Sequence, residues 1–251
     1  MTPSGQISGT RRVEHVMGMP IIVDLRDDKR DDDALLDEVF EWFRHVDTTF
    51  STYKSDSVIS LIRRGALDAD DASTEVRDVL ARCRQLSSET DGYFDPWRCS
   101  PDGVDPSGFV KGWAVDEAAA ILTRAGRRAF AINAAGDIRL HGRAWRVGIQ
   151  HPLERDAIAK VVEAEDLAIA TSGAYERGTH VRDPHTGDAP SGVLSVTVCG
   201  PELATADAYA TAAFAMGVPR AIHWTARLRG YEALTITADG RVLATPGFPA
   251  C

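Results

Sequence analysis

The chain has 251 residues, of which 44% are apolar and 26% charged, and its 28 basic and 37 acidic side chains give a formal charge of −9 at pH 7. These values are typical of a globular protein and argue against disorder and against fibrous repeats. The acidic balance disfavours non-specific nucleic-acid binding, and no apolar run approaches the roughly 18 residues that cross a membrane as a helix.

Cysteine usage and the first residues favour a cytoplasmic location. The cysteines at positions 83, 99, 199 and 251 are scattered without a CxxC pair, which indicates reduced thiols rather than a disulfide framework or a zinc site. Residues 1–16 contain no apolar core and no lipid-attachment cysteine, so they do not resemble a signal peptide. We therefore expect a cytoplasmic protein.

Helices are predicted to dominate the first half of the chain. A β segment over residues 11–25 comes first, and the acidic run 31–33 then begins a helix. Carboxylates in a first helical turn suit the positive end of the helix dipole, and this interpretation is preferred to a metal cluster. Further helices are predicted to end near Gly65 and to cover residues 73–90 and 113–125.

Short strands are predicted to dominate the second half. Turn residues separate alternating segments that are typical of antiparallel strands, namely AFAIN, DIRLHG, WRVGIQ, LAIATSG, THVRDP and VLSVTVCG. Helices are predicted from Pro201 to Met216 and from Pro219 to about Arg229, before a final hairpin around Asp239 and Gly240. The pattern predicts an α+β fold with antiparallel sheets and packed helices. It contains neither a Gly-x-Gly-x-x-Gly motif nor a Walker loop.

The segment 105–116 carries the first candidate for ligand binding. Gly108 and Gly112 flank Lys111 where a helix is predicted to begin. Glycines allow the backbone to approach a ligand, helix N–H groups attract anions, and lysine adds a positive charge. The alternative is a glycine turn with a surface lysine.

Two polar turns follow strands. Asn133 and Asp137 enclose the first and could bind a ribose or a base edge, although such turns are also common in hairpins. The second, Thr171-Ser172-Gly173, offers hydroxyl and backbone donors for an anion. His180, in a predicted strand, is more often a packed residue than a catalyst at such a position, and His185 is interpreted as a surface residue.

Asp207 and Thr211 form the last candidate site. They are four residues apart in a predicted helix, so their oxygens lie on one face. A carboxylate with a hydroxyl suits Mg²⁺, which prefers oxygen ligands and is often completed by substrate phosphates. The alternative is an early-helix aspartate that the helix dipole stabilises.

Taken in order, these segments resemble the ApbE family of Mg²⁺-dependent FAD:protein FMN transferases. The resemblance begins at Met17-Gly18 and ends at ADAYATAAFAMG, with intervening motifs FSTYKSDSVISLI, TDGYFDP, GFVKGWAVD, NAAGD and ATSG. It implies one flavin transferase domain over residues 1–251, undivided or in two lobes, with a T-fold-like α+β structure. Ala135 stands where the family often has glycine, and Val110 where it usually has alanine.

The resemblance also implies roles for individual residues. Asp207, Thr211 and the backbone carbonyl of Val110 would bind Mg²⁺, and Lys111 would neutralise charge on the FAD diphosphate. The residues expected at the FAD site are Met17, Tyr53, Asp105, Lys111, Asp116, Asn133, Gly136, Asp137, Thr171, Ser172, Gly173 and His180.

The implied reaction is attack by a Thr or Ser hydroxyl of an acceptor protein on the FMN-side phosphorus of FAD, with AMP as the leaving group. Asp207 and His180 are both candidates for the base. A Mg²⁺-dependent FAD pyrophosphatase and a non-catalytic FAD-binding protein remain alternatives on the same residues. The expected partners are FAD and a cytoplasmic acceptor protein, without nucleic acid or membrane.

Overall fold

The computed structural model describes residues 9–27, 32–98, 103–154, 156–173 and 181–249. In chain order the elements are β1 (Thr10–Val16), β2 (Met19–Leu25), α1 (Asp33–Phe50), α2 (Val58–Arg63), a 3-10 turn (Ala69–Asp71), α3 (Thr74–Glu89), α4 (Ser107–Arg124), β3 (Phe130–Ala134), β4 (Asp137–His141), β5 (Trp145–Gln150), β6 (Ile158–Ala164), β7 (Leu167–Gly173), β8 (Val193–Gly200), α5 (Leu203–Met216), α6 (Arg220–Thr225), β9 (Glu232–Thr237) and β10 (Val242–Ala244).

One antiparallel sheet organises the fold. Its eight strands follow the order β1-β2-β3-β4-β7-β8-β9-β10, and β5 pairs with β6 in a separate hairpin. Every strand pair is antiparallel. The α+β class with antiparallel sheets and packed helices, which the sequence predicts, is confirmed.

Alternate residues of the central strands enter two different apolar clusters. Ala168 and Ala170 of β7 belong to the larger cluster, which contains the buried side chains of α1, α3, α4 and α5. Ile169, between them, belongs to a smaller cluster with Ile149 and Val162 of the β5–β6 hairpin. Because successive side chains of a strand point to opposite faces, the helices cover one face of the sheet and the hairpin lies on the other.

Two predicted elements begin or break at different residues in the structure. The β segment over 11–25 is a hairpin, interrupted at Met17 and Gly18, whose φ angles are 56° and 73°. Helix α4 begins at Ser107 rather than at 113, because the Asp105 carboxylate accepts the Ser107 N–H at 3.0 Å and satisfies a free donor of the first turn. The Gly-Phe-Val-Lys-Gly motif is therefore helical rather than a loop.

Other predicted elements differ at their ends. The segment THVRDP is not a strand over Val181–Pro184, where Asp183 begins a turn closed by Gly187, and its first two residues lie outside the described ranges. Helix α6 ends at Thr225, four residues before the predicted Arg229. Asp32 of the acidic run forms an ion pair with Arg127 at the start of α1, whereas Asp31 is outside the described residues.

No helix in the described parts of the chain has both the length and the apolar composition needed to span a bilayer.

Candidate active site

A cavity of about 920 Å³ lies where the β1–β2 turn, the end of α1, the start of α4, the end of β7 and the helix α5 meet. Most of the site residues that the sequence singles out line it. These are Met17, Tyr53, Asp105, Val110, Lys111, Thr171, Ser172, Gly173, Asp207 and Thr211. Segments that are far apart in sequence thus share one cavity.

Lys111 stands between two buried carboxylates. Its Nζ lies 2.5 Å from Asp137 Oδ2 and 3.7 Å from Asp207 Oδ1. The aspartate side chains are 2% and 5% exposed, and the lysine side chain is 19% exposed. The other oxygen of Asp137, Oδ1, accepts the backbone N–H of Thr171 at 3.0 Å. Ionised, the three groups carry one positive and two negative charges in a place that water scarcely reaches.

Hydroxyl groups adjoin this charged cluster. Ser172 Oγ lies 3.3 Å from Thr211 Oγ1, and Thr171 Oγ1 lies 2.9 Å from Thr197 Oγ1. Thr211 follows Asp207 by one helical turn, so both oxygens face the cavity from α5. A Cβ on Gly108 would sit 3.6 Å from Thr211 Oγ1, so the glycine keeps space open beside that hydroxyl.

The close crossing of α4 and α5 brings these groups together. Helix α5 is rich in alanine, a strong helix former with a short side chain, and Ala206, Ala208 and Ala210 are fully buried. On α4, a Cβ at Gly112 would lie 2.5 Å from the carbonyl oxygen of Leu203. Gly112 therefore allows α4 and α5 to pack closely. The sequence suggested instead that this glycine lets the backbone approach a ligand.

The donor chemistry around Asp207 fits Mg²⁺. Carboxylate and hydroxyl oxygens are hard ligands, and Mg²⁺ usually takes one or two carboxylates and completes its shell with water and substrate phosphates. No cluster of three or more His, Cys, Asp or Glu side chains suited to a metal is found in the described ranges. Two carboxylates beside one ammonium also leave excess negative charge, which a divalent cation would offset before a diphosphate could bind.

Asp116 lies away from this cavity. It follows Lys111 by five residues, which turns its side chain by about 140° around α4. It lines a second cavity of about 610 Å³, and its Oδ2 accepts the backbone N–H of Ala204 at 2.9 Å. Its carboxylate thus contacts the first turn of α5, and the FAD contact expected from the sequence stays a prediction.

Asn133 and Gly136 build the β3–β4 turn rather than the cavity wall. Asn133 Oδ1 accepts the N–H of Gly136 at 2.9 Å, and Gly136 has a φ of 101°. Between them, Ala135 lines the cavity and has a φ of 50°. His180 lies outside the described residues, so the structure gives no position for this expected FAD and catalytic residue.

Several cavity residues escape the sequence analysis. Asp47, Arg63, Tyr93 and Arg182 line the cavity, and the Asp47 carboxylate accepts a hydrogen bond from Lys54 Nζ at 2.6 Å. Tyr93 belongs to the TDGYFDP motif, to which the sequence analysis assigned no role, whereas Asp47, Arg63 and Arg182 lie outside the quoted motifs. Tyr53 is 91% exposed, so its ring is open to solvent at the cavity rim.

His185 is exposed but contacts two other residues. Its Nε2 lies 3.0 Å from the Asp91 carbonyl oxygen, and its ring packs edge-on against Tyr93 at 4.6 Å between centroids. The surface position expected from the sequence thus includes a contact to a cavity residue.

The chain is similar to several known proteins. The sequence model described as ApbE family matches residues 17–99 and 98–235. A FAD:protein FMN transferase of Rhodobacter capsulatus is 32% identical over 242 residues, which cover 87% of this chain and 43% of that protein. One of Vibrio cholerae is 27% identical over 279 residues, with 86% of this chain and 81% of the relative covered. The chain thus spans under half the length of the first relative and most of the second.

Solved structures share the fold. The flavin transferase ApbE from Vibrio cholerae matches with a TM-score of 0.85 at 24% identity, covering 96% of this chain and 98% of that chain. The ApbE protein from Thermotoga maritima matches with a TM-score of 0.84 at 20% identity, covering 95% and 97%.

Proposed function

Because this chain belongs to the ApbE family, we propose that it transfers FMN from FAD to a Thr or Ser hydroxyl of an acceptor protein. The observation that carries the proposal is the cluster of Lys111, Asp137 and Asp207, in which Lys111 and Asp207 line a 920 Å³ cavity and the buried Asp137 pairs with the lysine. A cavity of this volume is large enough for a dinucleotide-sized ligand. The hydroxyls of Ser172 and Thr211 add neutral hydrogen-bond partners for phosphate oxygens.

The proposed step is a displacement at phosphorus. The acceptor oxygen forms a bond to the FMN-side phosphorus as the bond from that phosphorus to the bridging oxygen breaks. AMP leaves with the bonding electron pair, and the acceptor proton passes to a base. The flavin stays attached to the acceptor through a phosphoester. Phosphoryl transfer depends mainly on positioning and on charge neutralisation, which are the properties that the cluster offers.

Asp207, Thr211 and the carbonyl of Val110 would hold Mg²⁺, which when bound supplies Lewis-acid neutralisation of the diphosphate charge. Lys111 directs its ammonium toward the same region and keeps Asp137 and Asp207 in place. The Thr171 N–H fixes the second oxygen of Asp137. These contacts hold the charged groups before the substrate arrives, so little reorganisation is needed during the reaction.

We assign removal of the acceptor proton to His180 rather than to Asp207. Asp207 is the proposed Mg²⁺ ligand, and a metal-bound carboxylate is a poorer base than a free one. A neutral imidazole is suited to proton transfer near pH 7.

We further propose that the acceptor is cytoplasmic. The cysteines of the described ranges, Cys83 and Cys199, are free and buried. Unpaired cysteines fit a reducing compartment better than an oxidising one.

The test combines the purified protein, FAD, Mg²⁺ and an extract of its own cells, followed by a denaturing gel scanned for flavin fluorescence. We expect a metal-dependent fluorescent band that Asp207→Ala abolishes. Asp78→Ala, at an exposed position of α3, is the matched control and should keep the band. AMP release without a band would replace the transferase with a FAD pyrophosphatase. FAD binding with neither signal would leave a flavin-binding protein.

A further inference from the structure

The contacts between α4 and α5 occur in reversed order along the two helices. Near the start of α4, Gly108 faces Thr211, and a Cβ there would lie 3.6 Å from its Oγ1. One turn later Lys111 faces Asp207 at 3.7 Å. Gly112 then meets the backbone of Leu203, at the start of α5. The helices are therefore antiparallel, and the register between them decides whether Asp207 faces Lys111.

Asp116 makes the last of these contacts along α4, with the N-terminus of α5. Its Oδ2 accepts the Ala204 N–H at 2.9 Å, and the backbone of Leu203 gives a further hydrogen bond. The residue before the helix, Glu202, makes no side-chain cap of its own. The first N–H groups of a helix need acceptors, and here a carboxylate of the neighbouring helix supplies them.

We propose, on the basis of the proposed function, that Asp116 is a positioning residue that fixes the register of α5 against α4. Gly112 allows the helices to approach but makes no directional bond. The Asp116 carboxylate is directional, since it binds N–H groups at a defined place on α5. Asp207 and Thr211 lie one and two turns beyond that place, so the cap sets where their oxygens lie relative to Lys111.

The surroundings of Asp116 explain why a carboxylate is tolerated there. Burial raises the pKa of Asp116, and the hydrogen bonds from Ala204 and Leu203 oppose that rise. What the junction requires is an acceptor oxygen rather than a negative charge. Asparagine, which caps helices about as well as aspartate, should therefore replace it, whereas alanine should not.

The kinetic test compares Asp116→Ala and Asp116→Asn in Mg²⁺-dependent AMP release from FAD, with the cell extract present to supply the acceptor protein. Glu117→Gln, the next residue of α4 on the same second cavity, is the matched control. We expect alanine to lower kcat by tenfold to a hundredfold, which is about the cost of a 1 Å misplacement, with the KM for FAD unchanged within twofold. Asparagine should restore at least half of the wild-type kcat, and Glu117→Gln should match the wild type.

Two kinetic outcomes would overturn the proposal. Equal losses in the alanine and asparagine variants would mean that the charge matters. A raised KM for FAD with an unchanged kcat would mean that Asp116 contacts the substrate.

Hydrogen exchange tests the cap without any turnover. In Asp116→Ala the amide protons of Leu203 and Ala204 should exchange at least tenfold faster than in the wild type, and in Asp116→Asn they should stay protected. Unchanged exchange in the alanine variant would refute the cap. If the wild-type protein releases no AMP at all, the proposed function fails, and the role of Asp116 in positioning for catalysis fails with it. The exchange data would then still report the cap alone.

Discussion

At the scale of single residues, the Lys111 ammonium is the group on which the charged cluster depends. Its Nζ lies 2.5 Å from Oδ2 of the buried carboxylate Asp137 and 3.7 Å from Asp207 Oδ1. Removing one partner of a buried ion pair leaves an uncompensated charge, which costs more than the pair itself contributes. We therefore expect the lysine to contribute to folding as well as to the proposed FAD binding.

We predict that Lys111→Met lowers the free energy of unfolding by about 2–4 kcal/mol and raises the FAD concentration needed for half-saturation. Urea denaturation and FAD titration measure the two effects. Lys160→Met, on the β5–β6 hairpin, should change neither. If Lys111→Met kept both the wild-type stability and the wild-type affinity for FAD, the lysine would contribute to neither folding nor FAD binding.

Ala135 is strained by its backbone conformation. Its φ of 50° lies in the left-handed region, which costs an L-residue with a Cβ roughly 1–2 kcal/mol. Glycine adopts this region freely but gains entropy when unfolded. We predict that Ala135→Gly raises the free energy of unfolding by about 0.5–1 kcal/mol. Denaturant unfolding, compared with Ala131→Gly in β3, checks this, since glycine inside a strand should instead destabilise. A loss of stability in Ala135→Gly would contradict the strain.

At the scale of elements, the two glycines of α4 differ in what they face. A Cβ at Gly112 would overlap the Leu203 backbone, whereas one at Gly108 would reach ordinary contact distances from the side chain of Thr211 and a close one of 3.3 Å from Phe94. Backbone cannot move aside as a side chain can, so Gly112 is the position that overpacking should disturb more.

We predict that Gly112→Ala destabilises the protein by about 1–3 kcal/mol, even though alanine has the higher helix propensity. Gly108→Ala should cost less stability and should reduce activity instead, because its methyl group narrows the cavity beside Thr211. Thermal unfolding and AMP release, measured on both variants, separate these effects. The reverse ranking of the two stabilities would contradict the assigned helix contact.

The elements that the sequence predicts well are those with a clear period. Helix α3 and strands β3, β4, β7 and β8 follow their apolar patterns closely. Helix α4 starts earlier than predicted because Pro106, Gly108 and Gly112 are typical of a turn when read alone. In the folded chain the Asp105 carboxylate caps the first turn locally. The packing of Gly112 on Leu203 of α5, a contact from a distant part of the chain, favours the same helical conformation.

At the scale of the whole molecule, the separated motifs converge because β7, α4 and α5 meet at one end of the cavity. The sequence could predict that residues near 111, 172 and 207 act together, since they match one family in order. The sequence could not show that one face of α4, with Lys111, lines the 920 Å³ cavity while another face, with Asp116, lines the 610 Å³ cavity. It placed Asn133 in a turn but left open whether the side chain binds a ligand or holds the turn, since that depends on how the strands pack.

The buried thiols make stability depend on alkaline pH. Burial raises the pKa of Cys83 and of Cys199 to about 12, and burial also raises the pKa of Tyr209 to about 12. In the unfolded chain a thiol ionises near pH 8.5. Between these pH values the native state holds protons that the unfolded state has released, so stability falls as pH rises.

We predict that the free energy of unfolding decreases between pH 9 and pH 11 by about 1.4 kcal/mol per pH unit for each buried thiol. Urea denaturation in the presence of a reductant, at half-unit steps from pH 8 to pH 11, measures the slope. The double variant Cys83→Ala, Cys199→Ala should start from a lower stability, because two core side chains lose volume, but should show a shallower decline. A slope equal to that of the wild type would mean that the thiols ionise in the native state, and that the core around α3 and β8 opens to solvent before the chain unfolds.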